Sequence, residues 1–249
     1  MSDQIKHECG IALIRLLKPL KFYQKKYGSS SYGANKMYLM MEKQHNRGQD
    51  GAGLATVKMD AKPGEKYIFR ERSSAKQPIQ EVFTRVNERM ASSNEKNGNV
   101  PFQAELLLGH VRYGTFGKNN LESVHPFLRQ NNWTHRNLIV AGNFNMTNNQ
   151  ELFDNLVKLG QHPKSKVDSV TVMEKIGHFL DVENDRLLGF NQFTPLVFFQ
   201  IFVLGLQAPT LYQNYILYAL WVCIVISIPY GKIPNARIEI AGLHGLLRK

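Results

Sequence analysis

Cys9 stands in "ECGIAL", after eight mostly polar residues and before a glycine and a short apolar run. A thiol there can be a small buried hydrophobe that opens a strand. It can also be a nucleophile, provided that it becomes the first residue of the mature chain. Three further stretches carry residue types that chemistry uses. "QHNRGQDGAGLA", Gln44 to Ala55, places Arg47, Gly48 and Asp50 in a glycine-rich turn before a strand. "LGHVRYGTFG", Leu108 to Gly117, puts Arg112 at a strand end, and "HPF" follows at His125 to Phe127. "IVAGNFNMTN", Ile139 to Asn148, joins a turn at Gly142 and Asn143 to a helix cap at Thr147 or Asn148, with Asp168 downstream in "VDSVTV". Taken singly, each stretch is a turn, a strand end, a cap or a buried cysteine.

The elements that must position these residues read as follows. "CGIALIRLL" is a short strand, and "KPLKFYQKKYGSSSYGANK" a polar connection with a Ser/Gly hinge. "NKMYLMMEKQHNRG" is a helix with Met37, Leu39, Met40 and Met41 as its apolar side. "GAGLATVK" and "EKYIFRE" are strands around the turn "DAKPGE". "PIQEVFTRVNERMA" carries Ile79, Val82, Phe83 and Val86 on one helical face, with Pro78 at its start. "AELLLGHVRY" and "RNLIVAG" are buried strands; "NNQELFDNLVKLG" and "SVTVMEKIGHFLD" are amphipathic helices. Without a regular βαβ alternation, this order favours a layered α+β fold. The polar glycine motifs fall at strand ends, where a site would be built.

Composition narrows the partners. The net charge is +11, but the basic residues are scattered and interrupted by acids, which describes a solvated basic surface; nucleic acid is not an expected partner. Two cysteines, Cys9 and Cys223, make neither a disulfide framework nor a zinc or iron–sulfur ligand set, so no metal site is expected. That usage fits a reducing compartment. No apolar segment of a secretory signal is visible near Met1, and a cytoplasmic protein is expected.

Taken together and in this order, "CGI", "QH-RGQD-AG", "GH-RY-T", "PF", "GN" and "D-V" resemble the class II glutamine amidotransferases, and within them the glutaminase domain of amidophosphoribosyltransferase, an enzyme family of purine synthesis. The resemblance covers roughly residues 5 to 182. It implies a four-layer αββα N-terminal-nucleophile (Ntn) hydrolase sandwich, here incomplete at its C-terminal end. It also implies glutamine as substrate and Cys9 as nucleophile, which makes residues 1–8 a propeptide and residues 9–186 the glutaminase domain. A free α-amine, with a pKa of about 7.7–8.0, can serve as base for its own thiol. An amide nitrogen cannot, so the Glu8–Cys9 bond must be cut. Arg112 matches the arginine that grips the substrate carboxylate, a task suited to a guanidinium fork. Asp168 matches the acid that receives the α-ammonium. Arg47, Gly48 and Asp50 match the loop that supports nucleophile and pocket, and Gly142 with Asn143 the oxyanion-hole turn.

Two departures qualify the resemblance. The family reads His-Asn-Gly-Asn where this chain has Val140-Ala141-Gly142-Asn143, so Ala141 stands where an asparagine would donate to the oxyanion. Loss of one such donor typically costs about 10²–10³ in rate; Asn143 and Asn145 are alternative donors. A non-catalytic glutaminase-like binding domain is therefore the rival reading. Nothing in this sequence resembles the phosphoribosyl-pyrophosphate motif of the family's phosphoribosyltransferase domain, an acidic pair at the end of an apolar strand followed by a small-residue loop. Phosphoribosyl pyrophosphate and Mg2+ belong to that domain, and no cofactor is expected in this chain. A homo-oligomer is compatible with the family.

The composition breaks at residue 187. From Leu187 onward, 63 residues hold five charged side chains, and none lies between Leu187 and Gly231. "PLVFFQIFVLGL" and "LYALWVCIVISI" are each shorter than the roughly 20 residues that span a bilayer. The tail, residues 187–249, reads as a membrane hairpin, which would make this a membrane-attached protein, as a buried helical pair, or as the product of a shifted reading frame. The abrupt break favours the last. Translating the underlying DNA in the other two frames should then restore further strands and a transferase domain; if neither frame does, the shifted-frame reading is wrong.

Overall fold

A computed structural model describes residues 9–93, 99–114, 120–144, 146–190, 201–204 and 223–227, with side chains through Arg186. The expected propeptide, Asn145 and most of the tail lie outside these residues. The chain divides into two units, one ending at Pro126 and one beginning at Phe127.

The first unit is built on an antiparallel sheet of β1 (Gly10–Arg15), β2 (Gly51–Val57), β3 (Ile68–Ser73) and β4 (Leu106–Arg112), in the order β1-β4-β2-β3. The two central strands, "GAGLATV" and "LLLGHVR", are buried along their whole length, which is why they read as continuous apolar runs rather than alternating ones. One sheet face carries Ala12, Ala52, Leu54, Phe69, Leu107 and Val111, and it packs against two helices. From α2 (Tyr32–Lys43) come Met37 and Met41. From α3 (Pro78–Ala91) come Ile79, Val82, Phe83 and Val86, the face its 3.6-residue period marks.

The stretch read as a polar connection contains a helix, α1 (Leu20–Tyr27). None of its residues is buried, although Leu20, Tyr23 and Tyr27 recur at helical spacing on one face. Aromatic stacking attaches it instead: Tyr23 and Tyr27 lie 5.2 and 4.4 Å from the Tyr32 ring at the start of α2.

The second unit holds another antiparallel sheet, β5 (Phe127–Arg129), β6 (Leu138–Gly142), β7 (Ile201–Leu204) and β8 (Cys223–Ser227), in the order β5-β6-β8-β7. Helix α4 (Asn149–Lys158) packs on α5 (Asp168–Phe190). Val170 and Met173 of α5, with Ile176 and Leu180 beside them, meet Phe127, Leu138 and Val140. Helix α5 runs past Asp181, where the apolar pattern stops. Beyond Phe190, the described tail residues are extended, not helical. Among the described residues no helix is long and apolar enough to cross a membrane. The whole is a mixed α and β fold with two antiparallel sheets.

A charged cluster ties β5 to α5. The Arg129 guanidinium donates to Glu174 through Nε at 3.1 Å and to Asp181 through Nη2 at 2.5 Å. Burial works against the Arg129 charge, but Asp181 and Glu174 outweigh it and hold its pKa above the usual value. Gly177 leaves the room: a Cβ there would come 2.5 Å from Arg129 Nε. Removing the cation strands two half-buried carboxylates. Arg129→Met should lower stability by about 3 kcal/mol in denaturant titration; a loss under about 0.5 kcal/mol would make the cluster an ordinary surface pair.

Candidate functional site

In the first unit, four sequence-predicted residues gather at one end of the sheet. Cys9 precedes β1, and Arg112 ends β4, the strand beside it. The backbone N–H of Tyr113, the residue after Arg112, approaches the Cys9 sulfur at 3.5 Å. Sγ in turn lies 3.9 Å from the Tyr113 carbonyl oxygen.

The loop between α2 and β2 closes over the same strand end. After α2 a short 3-10 turn, His45–Arg47, leads into Gly48. A Cβ on Gly48 would lie 2.5 Å from the carbonyl carbon of Arg112 and 2.7 Å from its oxygen, so only glycine allows this approach. Two residues on, the Asp50 N–H donates to the Arg112 carbonyl at 3.0 Å. The Asp50 carboxylate accepts from the Gly114 N–H at 2.7 Å. Gly48 and Asp50 thus fix the backbone on either side of Tyr113, and with it the N–H that faces the thiol. Arg112 itself is 7% exposed, whereas Arg47 faces solvent.

Behind Arg112 lies a buried basic layer that the sequence did not announce. His110 and His125 have ring centroids 4.5 Å apart, and both are buried. The segment bearing His125 crosses the second sheet face over Gly51 and Gly53; a Cβ on Gly53 would collide with the His125 carbonyl oxygen. Two arginines of β3 pin it: Arg72 donates to the Val124 carbonyl at 2.7 Å and Arg70 to the Pro126 carbonyl at 3.3 Å. Burial, and then Arg70, push the Arg72 pKa down to about 10.

In the second unit, Gly142 is the buried last residue of β6, and Asn143 follows it exposed. Ala141 is 0% exposed, with a methyl that cannot donate. Asp168 opens α5, where its carboxylate accepts from the Ser169 N–H at 2.7 Å and from the Met146 N–H. Burial raises its pKa, while those backbone bonds oppose the rise. Asp168 is therefore bonded to the same segment that carries Gly142 and Asn143. Sequence reasoning missed this link, and it missed Gln44, whose side chain reaches β1. Gln44 lies inside the quoted motif, but its partner is a main-chain oxygen that no residue type marks.

No family model matches the chain. It is similar to amidophosphoribosyltransferase 2, chloroplastic, of Arabidopsis thaliana, with 27% identity over 175 residues, 70% of this chain and 25% of that protein. It is also similar to the amidophosphoribosyltransferase of Pasteurella multocida, with 29% identity over 137 residues, 55% of this chain and 23% of that protein. Among solved structures, glutamine phosphoribosylpyrophosphate amidotransferase from B. subtilis, complexed with ADP and GMP, matches with 23% identity. Its TM-score is 0.40, over 72% of this chain and 32% of that chain, too low to assign architecture. The sequence matches place the resemblance in the class II glutamine amidotransferases. The particular enzymes this chain resembles are amidophosphoribosyltransferases, and it spans about a quarter of the length of these curated relatives.

The histidine layer gives a pH dependence. Burial first, then His110, Arg112 and Arg72, hold the His125 pKa well below the usual histidine value, so His125 is neutral in the folded protein. The unfolded chain takes up that proton near pH 6.5 and the folded one does not. Its contribution is therefore full above about pH 6.5 and declines as pH falls, by up to about 1.4 kcal/mol per pH unit. His125→Gln should flatten this part of the stability profile between pH 7 and 5; an unchanged slope would show that His125 takes up its proton in the fold.

Proposed function

We propose that this chain is a glutaminase domain of the amidophosphoribosyltransferase type, acting through Cys9 once the Glu8–Cys9 bond is cut. The observation that carries the reading is the convergence on Cys9 of two motifs distant in sequence. Tyr113, after Arg112, offers its N–H to the thiol, and Gly48 and Asp50 hold that segment in place.

The chemistry follows from the residues. The freed α-amine of Cys9 takes the thiol proton. The sulfur attacks the side-chain carbonyl carbon of glutamine, the C–N bond breaks, and ammonia leaves with the proton. Water then hydrolyses the glutamyl thioester to glutamate and restores the thiol. The Tyr113 N–H stabilises developing charge on sulfur. Arg112 holds the substrate carboxylate and Asp168 the ammonium, with Arg47, Gly48 and Asp50 supporting the pocket. The Gly142–Asn143 turn supplies the oxyanion donors. The four-layer αββα sandwich is part of the same proposal. In a longer enzyme the ammonia would displace pyrophosphate from phosphoribosyl pyrophosphate, with Mg2+ bound by the transferase domain.

One observation favours a second reading, a domain that binds glutamine without hydrolysing it: the buried Ala141 methyl where the family has an amide donor. Intact-mass measurement with an electrophilic glutamine analogue separates the two. A glutaminase should yield a chain that begins at Cys9 and carries one equivalent of label on that residue. An uncut, unlabelled N-terminus would support the binding domain.

A further inference from the structure

Strand β1 bears the nucleophile of the proposed glutaminase and, among the described residues, lies at the sheet edge with β4 as its one strand partner. Among the described residues no strand pairs with the backbone groups on its outer side. Ile11, two residues after Cys9, turns its carbonyl oxygen to the Gln44 side chain, whose Nε2 donates to it at 3.3 Å. The same side chain lies flat on Gly10: a Cβ there would collide with Gln44 Oε1 and stand 3.2 Å from Gln44 Cβ.

Gln44 is itself anchored twice through its backbone. Its N–H donates to the Met41 carbonyl at 3.0 Å, where α2 ends, and its carbonyl accepts from the Arg47 N–H at 2.8 Å, where the turn toward Gly48 and Asp50 begins. Helix α2 is fixed to the sheet by Met37 and Met41, which are 0% and 1% exposed. One residue therefore joins a rigid helix, the outer edge of β1 and the loop that closes on Arg112.

We propose that Gln44 is a positioning residue for the nucleophile. Its carboxamide holds the outer edge of β1, so that Cys9 keeps its place against Tyr113 after the preceding peptide bond is cut. The need arises from the processing step. An intact chain is tethered on both sides of Cys9, and a cut chain only on one. From then on Cys9 is held by the Tyr113 contact, by the β1–β4 ladder from Gly10 onward, and by Gln44. The carboxamide is engaged by the Ile11 carbonyl, so its loss should slow turnover without weakening substrate binding. This inference rests on the glutaminase reading for its consequence in catalysis, though not for the clamp itself.

Gln44→Glu tests it with nearly unchanged shape. At pH 7.5 the carboxylate faces the Ile11 carbonyl oxygen with no proton to give. Gln44→Met, which keeps the length but not the polarity, is the companion variant should the first not fold. Hydrogen exchange of residues 10–14 should speed up by about fivefold to tenfold in either variant, with β2 exchange unchanged as the folding control. In Gln44→Glu the protection of residues 10–14 relative to β2 should return as pH is lowered toward 4.5 and the carboxyl regains a donor proton. For glutamine hydrolysis, kcat should fall severalfold and KM stay constant. Unchanged exchange in residues 10–14 would overturn the clamp whether or not the chain hydrolyses glutamine. A wild-type chain that neither hydrolyses glutamine nor takes the label at Cys9 would overturn the glutaminase reading alone. A raised KM at constant kcat would move Gln44 from positioning to substrate binding and overturn the role proposed here.

Discussion

The contact on which the first unit's site depends is the approach of Gly48 to the backbone of Arg112. At 2.5 Å from where a side chain would begin, it is possible for glycine alone. It brings the loop after α2 onto the end of β4, and the hydrogen bonds from Asp50 N–H to Arg112 and from Gly114 N–H to Asp50 then lock it. What they lock is the peptide of Tyr113, whose N–H faces the Cys9 sulfur. The "RGQD" motif therefore acts through the main chain of a second motif. That accounts for a glycine at position 48 and an acid at position 50.

Around this contact the first unit supplies rigidity from both sheet faces. On one face the methionines of α2 and the aliphatic row of α3 close a dry core. On the other, Gly51 and Gly53 admit a crossing segment that Arg70 and Arg72 pin by its carbonyl oxygens. The result is a layer of arginines and two adjacent imidazoles behind Arg112. Burial first, and then the neighbouring His110, Arg112 and Arg72, hold the His125 pKa well below the usual histidine value and keep that imidazole neutral.

Much of this architecture was legible. Pro78, Ile79, Val82, Phe83 and Val86 gave α3 with the same ends the structure has. The apolar runs gave β2, β4 and β6, and the motifs marked Cys9, Gly48, Asp50 and Arg112, which the structure gathers. What was not legible depends on partners that no local pattern records. Helix α1 buries nothing and is held by ring stacking on Tyr32. β5 is three residues long, and the Arg129 cluster draws on acids 45 and 52 residues away. Gln44 bonds to a main-chain oxygen and Tyr113 acts through its own N–H, groups that a sequence carries at every position alike.

The central claim is that Cys9, once first in the chain, cleaves the glutamine amide. A chain in which the initiator methionine directly precedes Cys9 bypasses the Glu8–Cys9 cut, since removal of that methionine leaves Cys9 in front. The direct measurement is ammonia and glutamate release from glutamine, with Cys9→Ala as the control. The account predicts equal amounts of both products, absent from the control. Ammonia release no greater than that of the control, from a folded and correctly trimmed chain, would contradict it.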